Sequence, residues 1–255
     1  MRHAPNLTTR WLYPGVKRNR PRPSLKAGLF LSFLLLPLML SSVLTLAEKS
    51  APLNIDFAAL KATALKQDMA GSSSVIDKWQ SLLERIPSLP EKEQLIEVNH
   101  FFHRHVNYHD DINVWEESDY WATPLQTLTR GQGDCEDYSI GKYVSLLQIG
   151  VPNERLRLIY VRARIGGPSS NVSRPHMVLA YYESPDDEPL ILDSLTRDVL
   201  PASERTDLFP VFSFNSESLW VGGNRASSTS PTQRLSHWRK VIERMDGEGI
   251  QWKNH

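Results

Sequence analysis

One cysteine occurs in 255 residues, and no acidic residue precedes Glu48. A single thiol cannot build a disulfide framework, so Cys135 is a reactive group, an intermolecular partner or a small buried hydrophobe. The absence of early acids leaves Arg2, Arg10, Lys17, Arg18, Arg20, Arg22 and Lys26 as an unopposed basic segment. An apolar stretch from Ala27 to Leu46 follows it. Basic then apolar is the pattern of an export signal, and Thr45-Leu46-Ala47 is an acceptable cleavage site. The stretch also reaches the roughly 20 residues that span a bilayer, so an uncleaved anchor is the alternative. In both cases positive residues stay cytoplasmic and the rest of the chain lies outside the inner membrane.

Without residues 1–47, 22 basic residues face 29 acidic ones, a net charge of −7 that argues against nucleic acid as a partner. No internal repeat or long low-complexity run divides the remainder, and residues 48–255 are predicted to form one domain. An N-terminal arm carries one short helix through Phe57, Leu60, Ala64 and Leu65, ended by Gly71. Ser74 caps a helix to about Ile86 with Val75, Trp79, Leu82 and Leu83 on its apolar stripe, and a second helix follows Pro90. Residues 109–133 are polar and turn-rich and read mostly as a loop. A helix then runs from Cys135 to about Gln148, closed by Gly150. Strands are predicted at 156–163, 177–182, 190–192, 211–214 and 219–221, and a last helix at 232–245.

Chemistry concentrates at Gly131-Gln-Gly-Asp-Cys-Glu-Asp-Tyr, which puts Cys135 at the start of a helix. Unpaired N–H groups and the positive end of the helix dipole favour a thiolate there and can receive an oxyanion. Asp134, Glu136 and Asp137 oppose the thiolate, which calls for a compensating cation. His176 and Asp193, at the ends of adjacent strands, can supply the base that takes the thiol proton and the carboxylate that orients it. Asp134 and Glu136 flank the cysteine with hard oxygens suited to Ca²⁺, Asp137 being a third candidate; the alternative is ordinary acids at a helix start. Trp121 is either an indole donor to the oxyanion or a buried platform. His100, His103, His105 and His109 make a weak zinc cluster, because the first two share a helix with core residues. Asp110-Asp111-Ile-Asn113 lacks the glycine and terminal glutamate of a calcium loop and reads as a solvated segment.

From about residue 79 to 245 the chain resembles the bacterial transglutaminase-like cysteine proteinases, and within them the LapG-type periplasmic proteases. The resemblance is carried by Asp119-Tyr-Trp-Ala-Thr-Pro-Leu-Gln, by the Gly131 to Tyr143 segment, by Pro175-His-Met-Val-Leu-Ala-Tyr-Tyr and by Leu190-Ile-Leu-Asp-Ser-Leu. It implies an α+β fold with a papain-like or transglutaminase-like core, the nucleophile at a helix N-terminus packed on an antiparallel sheet. It also implies Cys135 as nucleophile, His176 as base, Asp193 as orienter, and calcium held by Asp134 and Glu136. The implied substrate is a large surface adhesin of the repeats-in-toxin type, and the implied inhibitor an inner-membrane receptor for cyclic di-GMP. Gln126 departs from the glutamate expected in the first motif. A transglutaminase or amidase using the same triad, and a non-catalytic binding module with an inert thiol, are the rival readings.

Overall fold

The computed structural model describes residues 51–67, 73–221, 227 and 229–253. The predicted export segment and Gly71 lie outside them. No helix among the described residues is long and apolar enough to cross a membrane.

The centre of the molecule is α6 (Cys135–Gln148), buried at almost every position from Cys135 to Leu147. A helix buried on all sides needs cover all round, and it receives it. On one side lies a six-stranded antiparallel sheet in the order β7-β6-β5-β4-β8-β9, made of β4 (Leu156–Arg164), β5 (Ser173–Tyr181), β6 (Leu190–Leu192), β7 (Leu200–Pro201), β8 (Leu208–Phe214) and β9 (Leu219–Val221). Against the other faces of α6 pack α3 (Glu91–His105) and α5 (Pro124–Arg130), with α1 (Phe57–Lys66) and α2 (Ser73–Arg85) packed in turn on α5. The mixed fold with its antiparallel sheet is the one predicted. Gly141 lets α3 approach closely, since a Cβ there would sit 2.3 Å from the Phe102 ring.

Helix α2 ends where the sequence suggests and begins one residue before the predicted cap; it buries Ile76, Trp79, Leu82 and Leu83. Trp79 also donates its indole N–H to Ser145 on α6 at 2.9 Å. In α1 the predicted face is only partly right: Leu60 and Ala64 are buried, whereas Leu65 is 63% exposed. The arm has a role that periodicity could not show. Its strand β1 (Leu53–Ile55) pairs antiparallel with β10 (Ile250–Trp252), Leu53 opposite Trp252. The Ile55 N–H donates to the Gln148 side chain at 2.8 Å, fastening the β1–β10 pair to the far end of α6.

The predicted C-terminal helix is two: α7 (Pro231–Arg234) and α8 (Ser236–Glu248), separated by Leu235 in extended conformation. The predicted loop at 109–133 is also more ordered than expected. It contains α4 (Asp111–Val114), α5 and the two-residue strand β3 (Gln132–Gly133), which pairs parallel with β2 (Asn107–Tyr108). Helix α5 starts with a capping box: the Gln126 N–H donates to Thr123 Oγ1 at 3.2 Å, and Gln126 Oε1 accepts from the Thr123 N–H at 3.0 Å. Glutamine and glutamate serve equally in that motif. The departure at Gln126 is therefore absorbed locally, with its amide also meeting the Tyr120 hydroxyl at 3.0 Å.

Candidate active site

Cys135 is the first residue of α6 and only 6% exposed. Its thiol donates to Glu136 Oε2 at 2.7 Å and lies against the main-chain N–H of Met177 on β5. Burial, then the charges of Glu136 and Asp134, push the thiol well above its usual range. The helix start alone does not make a thiolate here, because burial and then the neighbouring acids outweigh it.

His176 precedes Met177, so the strand that meets the thiol also carries the imidazole. The strand begins at Ser173, earlier than predicted, which places His176 within β5, opposite Val161 of β4. Asp193 follows β6, whose observed ends are those predicted. Pairing of β5 with β6, Leu179 opposite Leu192, brings the two side chains together. His176 Nε2 lies 2.7 Å from Asp193 Oδ1, and the Leu195 N–H donates to the same oxygen at 3.0 Å. Arg205 stands 2.6 Å from Asp193 Oδ2 and also pairs with Asp207. Burial would raise the Asp193 carboxyl, but His176, Arg205 and the Leu195 N–H outweigh it and hold it well below the carboxylate range. Arg205 escaped sequence reasoning, since its 8% side-chain exposure depends on tertiary packing alone.

The acids around Cys135 fall into two groups that share Asp134. In one, Asp134, Cys135 and Glu136 place ligand atoms within 4.8 Å of one another; in the other, Asp111, Asp134 and Asp137 do so. The second is all carboxylate. Asp111 Oδ2 accepts from the Tyr120 N–H at 2.6 Å, and Asp137 Oδ1 accepts from the Ala122 N–H at 2.7 Å. The remaining oxygens, Asp111 Oδ1 and Asp137 Oδ2, are buried with no hydrogen-bond partner, as is Asp134 Oδ1. Burial first and then neighbouring acids push Asp134 up to about 11 and Asp137 well above its usual value, and burial lifts Asp111 to about 6. Orphaned oxygens with this spacing fit a hard cation, which binds oxygens at about 2.3–2.6 Å. Gly133 makes room for the arrangement, because a Cβ there would meet Asp137 Oδ2 at 2.6 Å.

This geometry corrects the reading of Asp111 as part of a solvated loop: it is 4% exposed, on α4, and faces Asp134 and Asp137. Asp134, predicted as a ligand, belongs to both groups, whereas Glu136, the other predicted ligand, is engaged by the thiol. Trp121 is a platform in this structure. Its indole N–H donates to Asp119 at 2.9 Å, its ring stacks on Phe214, and Arg244 on α8 donates to its carbonyl. The indole is thus not free to donate to an oxyanion. Of the four histidines weighed for zinc, His103 bonds the Asp193 carbonyl oxygen and His105 packs on Phe101.

A helix-borne thiol touched by the strand that carries a histidine, with an aspartate just past the neighbouring strand, is the arrangement of the papain-like and transglutaminase-like cysteine peptidases. Residues 83–221, which include Cys135, His176 and Asp193, match the bacterial transglutaminase-like cysteine proteinase family BTLCP. The chain belongs to this family and is a cysteine peptidase. Among solved structures it is similar to Legionella pneumophila LapG, at 35% identity and a TM-score of 0.62 over 75% of this chain and 98% of that one. The calcium-bound form of the Legionella protein gives 36% and 0.63 over 75% and 99%, and the EGTA-treated form 36% and 0.64 over 75% and 98%. No curated protein matches significantly.

Proposed function

We propose that the chain is a calcium-dependent endopeptidase whose triad is Cys135, His176 and Asp193. The observation that carries this reading is the 2.7 Å contact between His176 Nε2 and Asp193, made by the residue next to the backbone that touches the thiol. With Nε2 committed to the carboxylate, Nδ1 is the nitrogen left to face Cys135. Nδ1 takes the thiol proton as sulfur attacks the scissile carbonyl carbon. The resulting imidazolium gives that proton to the leaving amine, and the C–N bond breaks to leave a thioester. Water, deprotonated by the same nitrogen, then releases the acid and restores the thiol. A shallow cavity of about 210 Å³ is lined by Tyr160, Arg162, Arg174, Val211 and Pro175, the residue before His176 on β5.

Asp111, Asp134 and Asp137 would hold the calcium ion, in keeping with a Legionella relative that is calcium-bound. When bound, the ion supplies positive charge that offsets the acidic field opposing a thiolate at Cys135. Residues 1–47 support export to the periplasm, by a cleaved signal or an uncleaved anchor. The family resemblance supports a large repeats-in-toxin adhesin as substrate, cut near its N-terminus to release it and disperse a biofilm, and a cyclic di-GMP receptor of the inner membrane as inhibitor.

The test is incubation of the protein with the N-terminal region of such an adhesin, with and without chelator. Two fragments formed only with calcium are expected. Crosslinked products instead of fragments would assign the thioester to an amine acceptor and make the enzyme a transglutaminase.

A further inference from the structure

Lys142 is wholly buried on α6, seven residues after Cys135. Seven residues are close to two turns, so Lys142 shares the helix face of the nucleophile about 10 Å farther along the axis. A lysine that gives up its hydration is costly unless its donors are used. Its Nζ donates to the main-chain oxygen of Asp193 at 2.9 Å, and Nζ lies 5.2 Å from the centre of the Tyr138 ring. Among the described residues no carboxylate lies within ion-pair distance of it. The same Asp193 oxygen meets His103 Nε2 of α3 at 2.8 Å. A carbonyl oxygen only accepts, so His103 presents N–H, and both lone pairs are filled. Arg205 grips the other end of the residue at Oδ2.

We propose that Lys142 is a positioning residue for the triad, a strut that ties the main chain of Asp193 to the helix bearing Cys135. His103 steadies the same oxygen from a second helix. The separation of thiol and imidazole is then fixed within one assembly: the helix carries the sulfur, Lys142 joins the helix to Asp193, and Asp193 holds the ring. The inference rests on the triad reading above.

A strut of this kind works against stability. Its charged neighbour is Asp193 from the end of β6; the titratable His103 of α3, which also feels Arg197, and Tyr138 of α6 face it as well. Burial lowers the ammonium to about 7, with the Asp193 charge acting the other way. In the unfolded chain it titrates near ~10.4. Between those values the unfolded state binds more protons, so stability rises with pH across that window, and the penalty is fully present below it.

The experiment compares wild type with Lys142→Met in the full chain, by thermal unfolding from pH 6 to 10 and by kcat and KM on a peptide substrate. Methionine keeps the volume and removes both charge and donor. At pH 6.5 the variant should melt at or above the wild-type temperature, and its rise in stability above neutral pH should disappear. Its kcat should fall roughly 10- to 100-fold with KM within about twofold, the scale of a misplaced catalytic group. Should Lys142→Met fail to fold, His103 supplies the second arm: His103→Leu should lower kcat, and His103→Gln, which keeps an N–H at that position, should restore most of it. Unchanged kcat in Lys142→Met, or in His103→Leu where the lysine variant cannot be made, overturns the strut. Joint loss of stability and activity in Lys142→Met would make the residue merely structural and overturn it as well. Failure of wild type itself to cleave peptides would instead overturn the triad reading beneath it.

Discussion

Replacing Asp193 by asparagine tests the triad more sharply than deleting it. The carboxylate has donors on every side: Oδ1 accepts from His176 and the Leu195 N–H, and Oδ2 is ion-paired with Arg205. Asparagine offers one oxygen and one donor group. If its oxygen faces His176, its NH₂ lies against the Arg205 guanidinium at a contact of 2.6 Å. If it flips, the NH₂ lies against the Leu195 N–H and forces the imidazole proton onto Nδ1, where it can no longer accept from the thiol. Either way donors face donors in a buried site. The single variant should lose roughly ten-thousand-fold in kcat, the scale of a triad aspartate lost to the wrong tautomer. Adding Arg205→Met lets the amide flip to the productive orientation and removes a buried cation left without its full partner. An unmade buried hydrogen bond costs about 1–3 kcal/mol, so Asp193→Asn with Arg205→Met should recover roughly 5- to 150-fold over Asp193→Asn alone. The assay is kcat/KM for the four proteins of the cycle, with melting temperatures to separate folding from chemistry. Losses that simply multiply would refute the geometry argued for Asp193.

Cys135→Ala and His176→Ala should each abolish cleavage while retaining the melting transition, as members of one acyl-transfer unit; turnover by either folded variant would remove the assignment. Chelation should suppress activity reversibly and lower the melting temperature, Ca²⁺ restoring both and Mg²⁺ poorly, because its octahedral shell dehydrates reluctantly. Asp111→Ala and Asp137→Ala should mimic chelation at least as fully as Glu136→Ala, measured by calcium content of the purified proteins. Trp121→Phe should keep kcat within about tenfold, since its indole N–H is spent on Asp119 rather than on the oxyanion; a loss of a thousandfold would reinstate it as a donor.

The parts of this fold that could be read from the sequence are those whose signals are local. Helix α6 was legible at both ends because an apolar run begins at a cysteine after two glycines and stops before Gly150. Strand β6 was legible as a three-residue apolar run ending in Asp193. Helix α5 was missed although Thr123-Pro-Leu-Gln126 carries its start signal, the aromatic and glycine punctuation of the segment having argued for a loop. The β1–β10 pair was not legible at all, since nothing in Leu53-Asn54-Ile55 announces a partner nearly two hundred residues away. Asp111 and Arg205 escaped for the same reason: their importance comes from burial, which the chain acquires only on folding. The residues that could be named in advance are those whose chemistry is unusual for their immediate surroundings.

The pairing of β1 with β10 has a geometric consequence for anything attached to that pair. Ile55 meets Gln148, the last residue of α6, and Cys135 is its first. A 14-residue helix spans about 21 Å. Leu53 and Trp252, paired there, therefore belong to the end of the helix opposite the thiol, and a label placed on that pair keeps clear of the sulfur.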